Sequence, residues 1–232
     1  MMFAWSFTQL NNYRTCAKRW YHYNVTKDVK EPESDQMKWG YQVHAAMAAR
    51  IGEGKALPSN MPYERWADWT LTNDGCDMAV EHKLAITEQF EPCTYFDKKK
   101  AVWFRTVLDV FKASGPVARI IDWKTGKVPD NPMKKAEAEQ QLWLSSTVAF
   151  IYHPDVQLVR THLVYLQEDE PGTVGYRDVW RRDLPALWQQ VMPTLAGMQH
   201  ALDKDEFPPN PSGLCKKHCA VVSCPYHGKG SR

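Results

Sequence analysis

The period of the apolar positions changes along the chain, and those changes outline its elements. Ser6-Phe7-Thr8-Gln9 reads as a capping box opening a helix that runs to about residue 23 and carries Cys16. After a polar stretch over 27–36, Met37, Tyr41, His44, Met47, Ala48 and Ile51 recur at steps of three and four. That spacing predicts a second helix over 36–51, stopped by Gly52, with His44 pointing where the core residues point. Residues 53–75 are rich in Pro, Gly, Asn and Trp and read as a connection with one short helix. Strands are expected over 78–90, 101–111 and 117–124, the last two joined as a hairpin by Ser114-Gly115-Pro116. Asn131-Pro132 opens a helix to about residue 152, and 156–166 is a fourth strand. Asp183 caps a last helix with the stripe Leu187, Val191, Leu195, Met198 and Leu202. The tail after Phe207 has Pro, Gly, Cys and Lys without an apolar period, so its order needs another source, such as a metal. The sequence of elements predicts an α/β fold, a mixed central sheet flanked by helices.

Composition narrows the class without naming an activity. A chain of 232 residues, 44% hydrophobic and 24% charged, suits one globular core. It has no apolar run near the ~20 residues of a membrane span. The start, MMFAWSFTQLNNYRTC, lacks a basic end followed by an apolar centre, so a cytoplasmic location is expected. In such a compartment the six cysteines do not read as a disulfide framework, and Cys76 and Cys93 stand alone as ordinary thiols. The net charge of +2 neither demands nor excludes a nucleic-acid partner, because a local basic surface can track phosphates. The ten Trp and ten Tyr read first as core residues.

Two groups of residues carry candidate chemistry. In ARIIDWKTG, period-two alternation puts Ile120, Asp122 and Lys124 on one face, so an acid and a lysine project together near a strand end. Asp109 lies on the preceding strand inside the apolar run VLDVF, where a carboxylate is costly unless its charge is compensated. Two carboxylates on adjacent strands can share a divalent cation such as Mg²⁺. A neighbouring lysine can orient or deprotonate a water, especially where burial lowers its pKa. The second group is Cys215-x3-Cys219-x4-Cys224, with Pro225 following, and the distant Cys16. Thiolates select zinc or iron–sulfur clusters over magnesium. Three local cysteines and a distant one supply the four ligands of a [4Fe–4S] cluster. Zinc held by some of Cys215, His218, Cys219, Cys224 and His227 is the alternative and does not need Cys16.

The ordered set resembles the PD-(D/E)XK nuclease superfamily in its RecB-like, CRISPR-associated exonuclease branch, over roughly residues 6–225. SFTQLNNYRTCAKRW resembles that branch's opening helix with its cysteine, and Gly40-Tyr41-Gln42-Val43-His44 its Gly-x-x-x-His helix. Glu81 falls where a strand acid often precedes the core, and Asp109 matches the second-motif acid. Asp122-Trp123-Lys124 with Thr-Gly matches the D-x-K motif, and Gln141 opens the Gln-x-x-x-Tyr helix. The chain departs from the pattern in having Thr106 where Gly is usual, Ser145 where Tyr is usual, and C-x3-C-x4-C in place of C-x2-C-x5-C.

The resemblance implies a single restriction-endonuclease-like domain over 1–232, with a Cys-rich, metal-bound tail (205–232) packed on the N-terminal helix. It implies a Mg²⁺- or Mn²⁺-dependent DNA nuclease, an exonuclease rather than an endonuclease, acting on ends or single strands in recombination, repair or processing. His44, Asp109, Asp122 and the Trp123 carbonyl would hold the metal. Lys124 would position or deprotonate the water, and Gln141 would orient Lys124 or touch a phosphate. Cys16, Cys215, Cys219 and Cys224 would hold the cluster. A bacterial or phage setting and a recombination or helicase partner are further implications. Two competing readings are a catalytically inactive nucleic-acid-binding module of the same fold and a zinc-dependent DNA-binding adaptor.

Overall fold

The computed structural model describes residues 3–72, 75–97, 101–168 and 175–229. Its helices are α1 Phe7–Thr15, α2 Ala17–Trp20, α3 Asp35–Glu53, α4 Glu64–Leu71, α5 Pro132–Tyr152, α6 Leu184–Gln189, α7 Met192–Lys204 and α8 Leu214–Lys217. Its strands are β1 Asp77–Ile86, β2 Pro92–Cys93, β3 Phe104–Ser114, β4 Val117–Lys124, β5 Leu158–Tyr165 and β6 Gly175–Trp180. Two compact units result: Asp35–Leu187, and Met1–Ser34 with Trp188–Arg232.

The first unit holds a mixed six-stranded sheet in the order β2-β1-β3-β4-β5-β6. Every neighbouring pair is antiparallel except β4 and β5. A parallel step needs a crossover, and α5 supplies it, starting where the Asn131 side chain accepts from the Met133 N–H ahead of Pro132. Ile121 and Trp123 join a core cluster with Val43, Met47 and Ile51 of α3 and with Trp66 and Ala67 of α4. Strand side chains alternate, so Ile120, Asp122 and Lys124 face the other way. There α5 covers the sheet, and its Gln141 reaches both Asp122 and Lys124. The expected mixed sheet between helices is therefore present, with β2 and β6 as edge strands that the apolar pattern did not announce.

Several boundaries move for local reasons. Helix α3 extends to Glu53, and the positive φ of Gly54 (+71°), not Gly52, ends it. Its buried stripe is Val43, Met47 and Ile51. Tyr41 is exposed, and His44 sits at the stripe's border and not within it. The hairpin turn is where Ser114-Gly115-Pro116 put it, with Gly115 at φ +53°. The expected last helix divides into α6 and α7 around Pro193, which sits in the first turn of α7. Asp183 lies in a short 3₁₀ turn and is not its cap.

In the other unit the expected continuous first helix is broken. Ser6 makes no side-chain cap bond, α1 ends at Thr15, and Cys16 adopts extended backbone (φ −169°, ψ 117°) before α2 and a π-helical turn over Tyr21–Val25. The tail packs against this region through its own contacts. Phe207 stacks on Tyr21 at 4.1 Å between centroids, the Asn210 side chain donates to the Thr15 carbonyl, and the Ala220 N–H donates to the Tyr23 hydroxyl. Order in the tail thus has aromatic and hydrogen-bonded sources besides any metal.

Candidate active site

Three carboxylates, a histidine, a lysine and an amide converge where α3, β1, β3, β4 and α5 meet. Asp109 links them. Its Oδ1 lies 3.2 Å from His44 Nδ1, and its Oδ2 accepts the Trp123 N–H at 2.8 Å. Pairing runs Val80↔Val110 and His82↔Leu108, so Glu81 stands opposite Asp109. Glu81 has φ +48°, a left-handed conformation that costs a non-glycine residue on the order of 1–3 kcal/mol. Ligand atoms of His44, Glu81 and Asp109 lie within 4.8 Å of one another, and no other His/Cys/Asp/Glu trio among the described residues does so. Met37, Gly40 and Tyr41 join them in lining an open cleft of about 560 Å³. A Cβ on Gly40 would lie 3.6 Å from Thr125 Oγ1, an ordinary contact, so close packing does not demand that glycine.

The second half of the site stands on β4 and α5. Lys124 Nζ lies 2.7 Å from Asp122 Oδ2 and donates to Gln141 Oε1 at 3.2 Å, while Gln141 Nε2 reaches Asp122 Oδ1 at 3.5 Å. Asp122 is buried, and its Oδ2 has no aligned hydrogen-bond donor, so its contact with Lys124 is an ion pair.

Charge follows from this crowding. Burial, together with the charge of Asp109, raises the Asp122 carboxyl above its ordinary range against the pull of Lys124. Burial likewise raises Glu81, aided by Asp109. Burial alone would lower His44, but the bond to Asp109 and the charges of Asp109, Asp122 and Glu81 together raise it. Burial pulls Lys124 down, yet Asp122 and Asp109 hold it above its usual value. A site crowded with carboxylates beside an imidazole has the oxygen-and-nitrogen donor set of a hard divalent cation.

Sequence reading placed His44, Asp109, Asp122, Lys124 and Gln141 in one constellation, and the structure brings them together. Glu81 was noted by position only. Its place beside His44 and Asp109 depends on a backbone kink in β1 that no residue type announces. For Trp123 the structure gives the N–H bond to Asp109 and an edge contact to the His44 ring at 6.0 Å.

In the other unit, Cys16, Cys215, Cys219 and Cys224 all line one small cavity, beside Lys18 and Arg19. The Asn210 N–H donates to Cys16 Sγ at 3.3 Å and the Ser212 N–H to Cys215 Sγ at 3.4 Å. Four sulfurs around one cavity are a donor set of the kind that zinc and iron–sulfur clusters take.

No curated protein matches the chain. Among solved structures, a Eubacterium rectale protein provisionally named an exonuclease aligns with a TM-score of 0.56 at 11% identity, covering 99% of this chain and 89% of that one. LHK-Exo in complex with dAMP aligns with a TM-score of 0.47 at 10% identity, covering 87% and 88%. Identities this low concern the fold alone. The family model of the PD-(D/E)XK nuclease superfamily matches residues 4–226, nearly the whole length. The chain belongs to the PD-(D/E)XK nuclease superfamily.

Proposed function

We propose that this chain is a divalent-metal-dependent deoxyribonuclease that degrades DNA from ends. The observation that carries the reading is the His44–Glu81–Asp109 donor set beside the Asp122–Lys124–Gln141 group. His44, Asp109, Asp122 and the Trp123 carbonyl would hold Mg²⁺ or Mn²⁺, and Glu81 joins them on geometry. Bound there, the cation would supply a nucleophilic water and offset charge on the scissile phosphate. Lys124 positions that water through its Nζ. With Asp122 and Asp109 holding a cation, Lys124 would lose the charges that hold its pKa up, and burial would then favour its neutral, basic form. Gln141 keeps Lys124 Nζ oriented through Oε1 while its Nε2 steadies Asp122.

Cys16, Cys215, Cys219 and Cys224 would hold a [4Fe–4S] cluster that clasps the tail to the α1–α2 break, with the whole chain working as one nuclease domain. Zinc with His218 and His227 is the alternative, decided by iron, sulfide and zinc analysis of anaerobically purified protein. Recombination or repair of DNA, with a helicase-type partner in a bacterial or phage-infected cytoplasm, is the setting this reading suits. No described helix is long and apolar enough to cross a membrane.

The test compares end-labelled linear DNA with covalently closed circles in Mg²⁺ or Mn²⁺, for wild type, Asp122→Ala and Lys124→Ala. Loss of linear DNA with survival of circles, abolished in both variants, is expected. Equal activity in all three sinks the assigned site. Binding without cleavage under any divalent metal would mark an inactive binding module, the reading that Ser145 in place of the motif tyrosine favours.

A further inference from the structure

Beyond the metal cleft, one side of β3 continues toward an exposed aromatic pair. Thr106 bonds Ser145 of α5, so its strand neighbours Arg105 and Val107 face away from α5. Val107 lines the cleft with His44, Glu81, Asp109 and Tyr41, which fixes that direction. Lys83 of β1 pairs with Val107, and paired residues share a face. Arg105 carries the same face on, away from the metal donors. Its guanidinium carbon lies 5.4 Å from the centre of the Tyr95 ring and 5.8 Å from that of Phe96. The two rings meet edge to face, 4.9 Å between centroids. Held in this way, Phe96 is still 72% exposed, and Tyr41 at the metal end is 62% exposed. Single exposed apolar side chains are ordinary on a protein surface. These two differ in lying at the two ends of one face, with Lys83 and Arg105 along it. From Asp109 to Arg105 is about 13 Å along β3 at ~3.3 Å per residue, the length of about four stacked nucleotides at ~3.4 Å each.

We propose that this face is a track for a single DNA strand leading into the metal centre, with Phe96 as a platform on which a base stacks and Arg105 and Lys83 as phosphate contacts. The track rests on the reading of His44, Glu81 and Asp109 as metal donors, which sets where it ends. Exposed rings interleaved with cations are what an unpaired strand needs, because each base offers a flat π-face and each linkage a negative charge. A base paired within a duplex has both faces covered by its neighbours, so the exposed Phe96 ring selects for unpaired strand. Arg105 acts in two ways. Its contact with both rings holds the platform in place, and its guanidinium N–H groups match the oxygens of the phosphate beside the stacked base.

The experiment measures binding by fluorescence anisotropy in the full chain without added divalent metal. Two labelled probes of equal length are used: oligothymidylate, and a strand that is abasic throughout, which keeps the phosphates and lacks the bases. Phe96→Ala should weaken oligothymidylate binding about fivefold or more and leave abasic binding within about twofold of wild type. Phe96→Trp should keep oligothymidylate binding at the wild-type level. Arg105→Gln should weaken both probes and lower their salt dependence by about one phosphate contact. Because Phe96 is exposed, its variants should fold as wild type does, which circular dichroism checks. Equal oligothymidylate affinity in wild type and Phe96→Ala, or an equal loss on both probes, overturns the track. The nuclease reading fails separately, when wild type and Asp122→Ala do not differ in cleavage with Mn²⁺. A base-dependent effect of Phe96 would then still establish the track as a DNA-binding surface.

Discussion

Thr106 Oγ1 and Ser145 Oγ lie 2.9 Å apart, so the two residues that depart from the superfamily's motifs are hydrogen-bonded to each other. Ser145 is 3% exposed on α5, and Thr106 stands on β3 beneath it. A larger side chain on the strand meets a smaller one on the helix, so the pair reads as one coupled exchange. Ser145→Tyr alone should therefore overpack this contact and cost roughly 1–3 kcal/mol. Thr106→Gly with Ser145→Tyr should cost less than the sum of the single changes, by about 1 kcal/mol or more. Denaturant unfolding of the four proteins measures the cycle, and strict additivity would show that the two positions are independent.

Glu81 holds a strained backbone next to Asp109, which suggests that stability has been given up for the site. Glu81→Gly relieves the positive φ but adds chain entropy, so its stability should be unchanged or higher by up to about 1 kcal/mol. The same variant should bind Mn²⁺ less tightly, by calorimetry. Loss of stability with unchanged metal affinity would mean that Glu81 serves the fold alone.

Cys16 lies at the only extended residue between α1 and α2, facing the tail cysteines across one cavity. On the proposed [4Fe–4S] reading, anaerobic protein absorbs visibly, and Cys16→Ser should abolish that absorption and make the segment after Phe207 a site of limited proteolysis. The Phe207 stack and the Ala220–Tyr23 bond remain, so the chain should still fold. A variant as brown and as protease-resistant as wild type would remove Cys16 from the ligand set.

Stability should fall as pH drops from about 6.5 toward about 4, partly through His162. An unfolded histidine titrates near 6.5, whereas folded His162 titrates at about 4. Above that window neither state carries the proton. Within it the unfolded chain binds more protons, so folding weakens as pH falls. Burial lowers His82 and His153 too and adds to the loss, whereas the raised His44 opposes it. Thermal midpoints at pH 7 and pH 5 should fall less in His162→Asn than in wild type; equal falls would contradict the assignment.

What could be read from the chain followed from how local each signal is. The hairpin after β3 and the start of α5 carry their own turn and cap residues, so their positions were legible. Asp109, Asp122 and Lys124 were legible because an acid in an apolar strand has few uses. Of the edge strands, β2 is only two residues long and pairs with β1, too short to leave an apolar pattern. The break at Cys16 and the kink at Glu81 were missed because neither position carries glycine or proline. The shared face of Lys83, Arg105 and Val107 depends on strand register, which sequence spacing does not specify.

Asp109 bonds both His44 and the Trp123 N–H and so joins the two halves of the proposed metal-dependent nuclease centre. The most direct measurement is the single-turnover cleavage rate of linear DNA in saturating Mn²⁺ for wild type and Asp109→Asn, with Mn²⁺ affinity measured on the same samples. Asp109→Asn keeps the size of the side chain but removes its charge. A rate at least about 100-fold lower, with weaker Mn²⁺ binding, is expected. A folded Asp109→Asn that binds Mn²⁺ and cuts DNA as wild type does would contradict it.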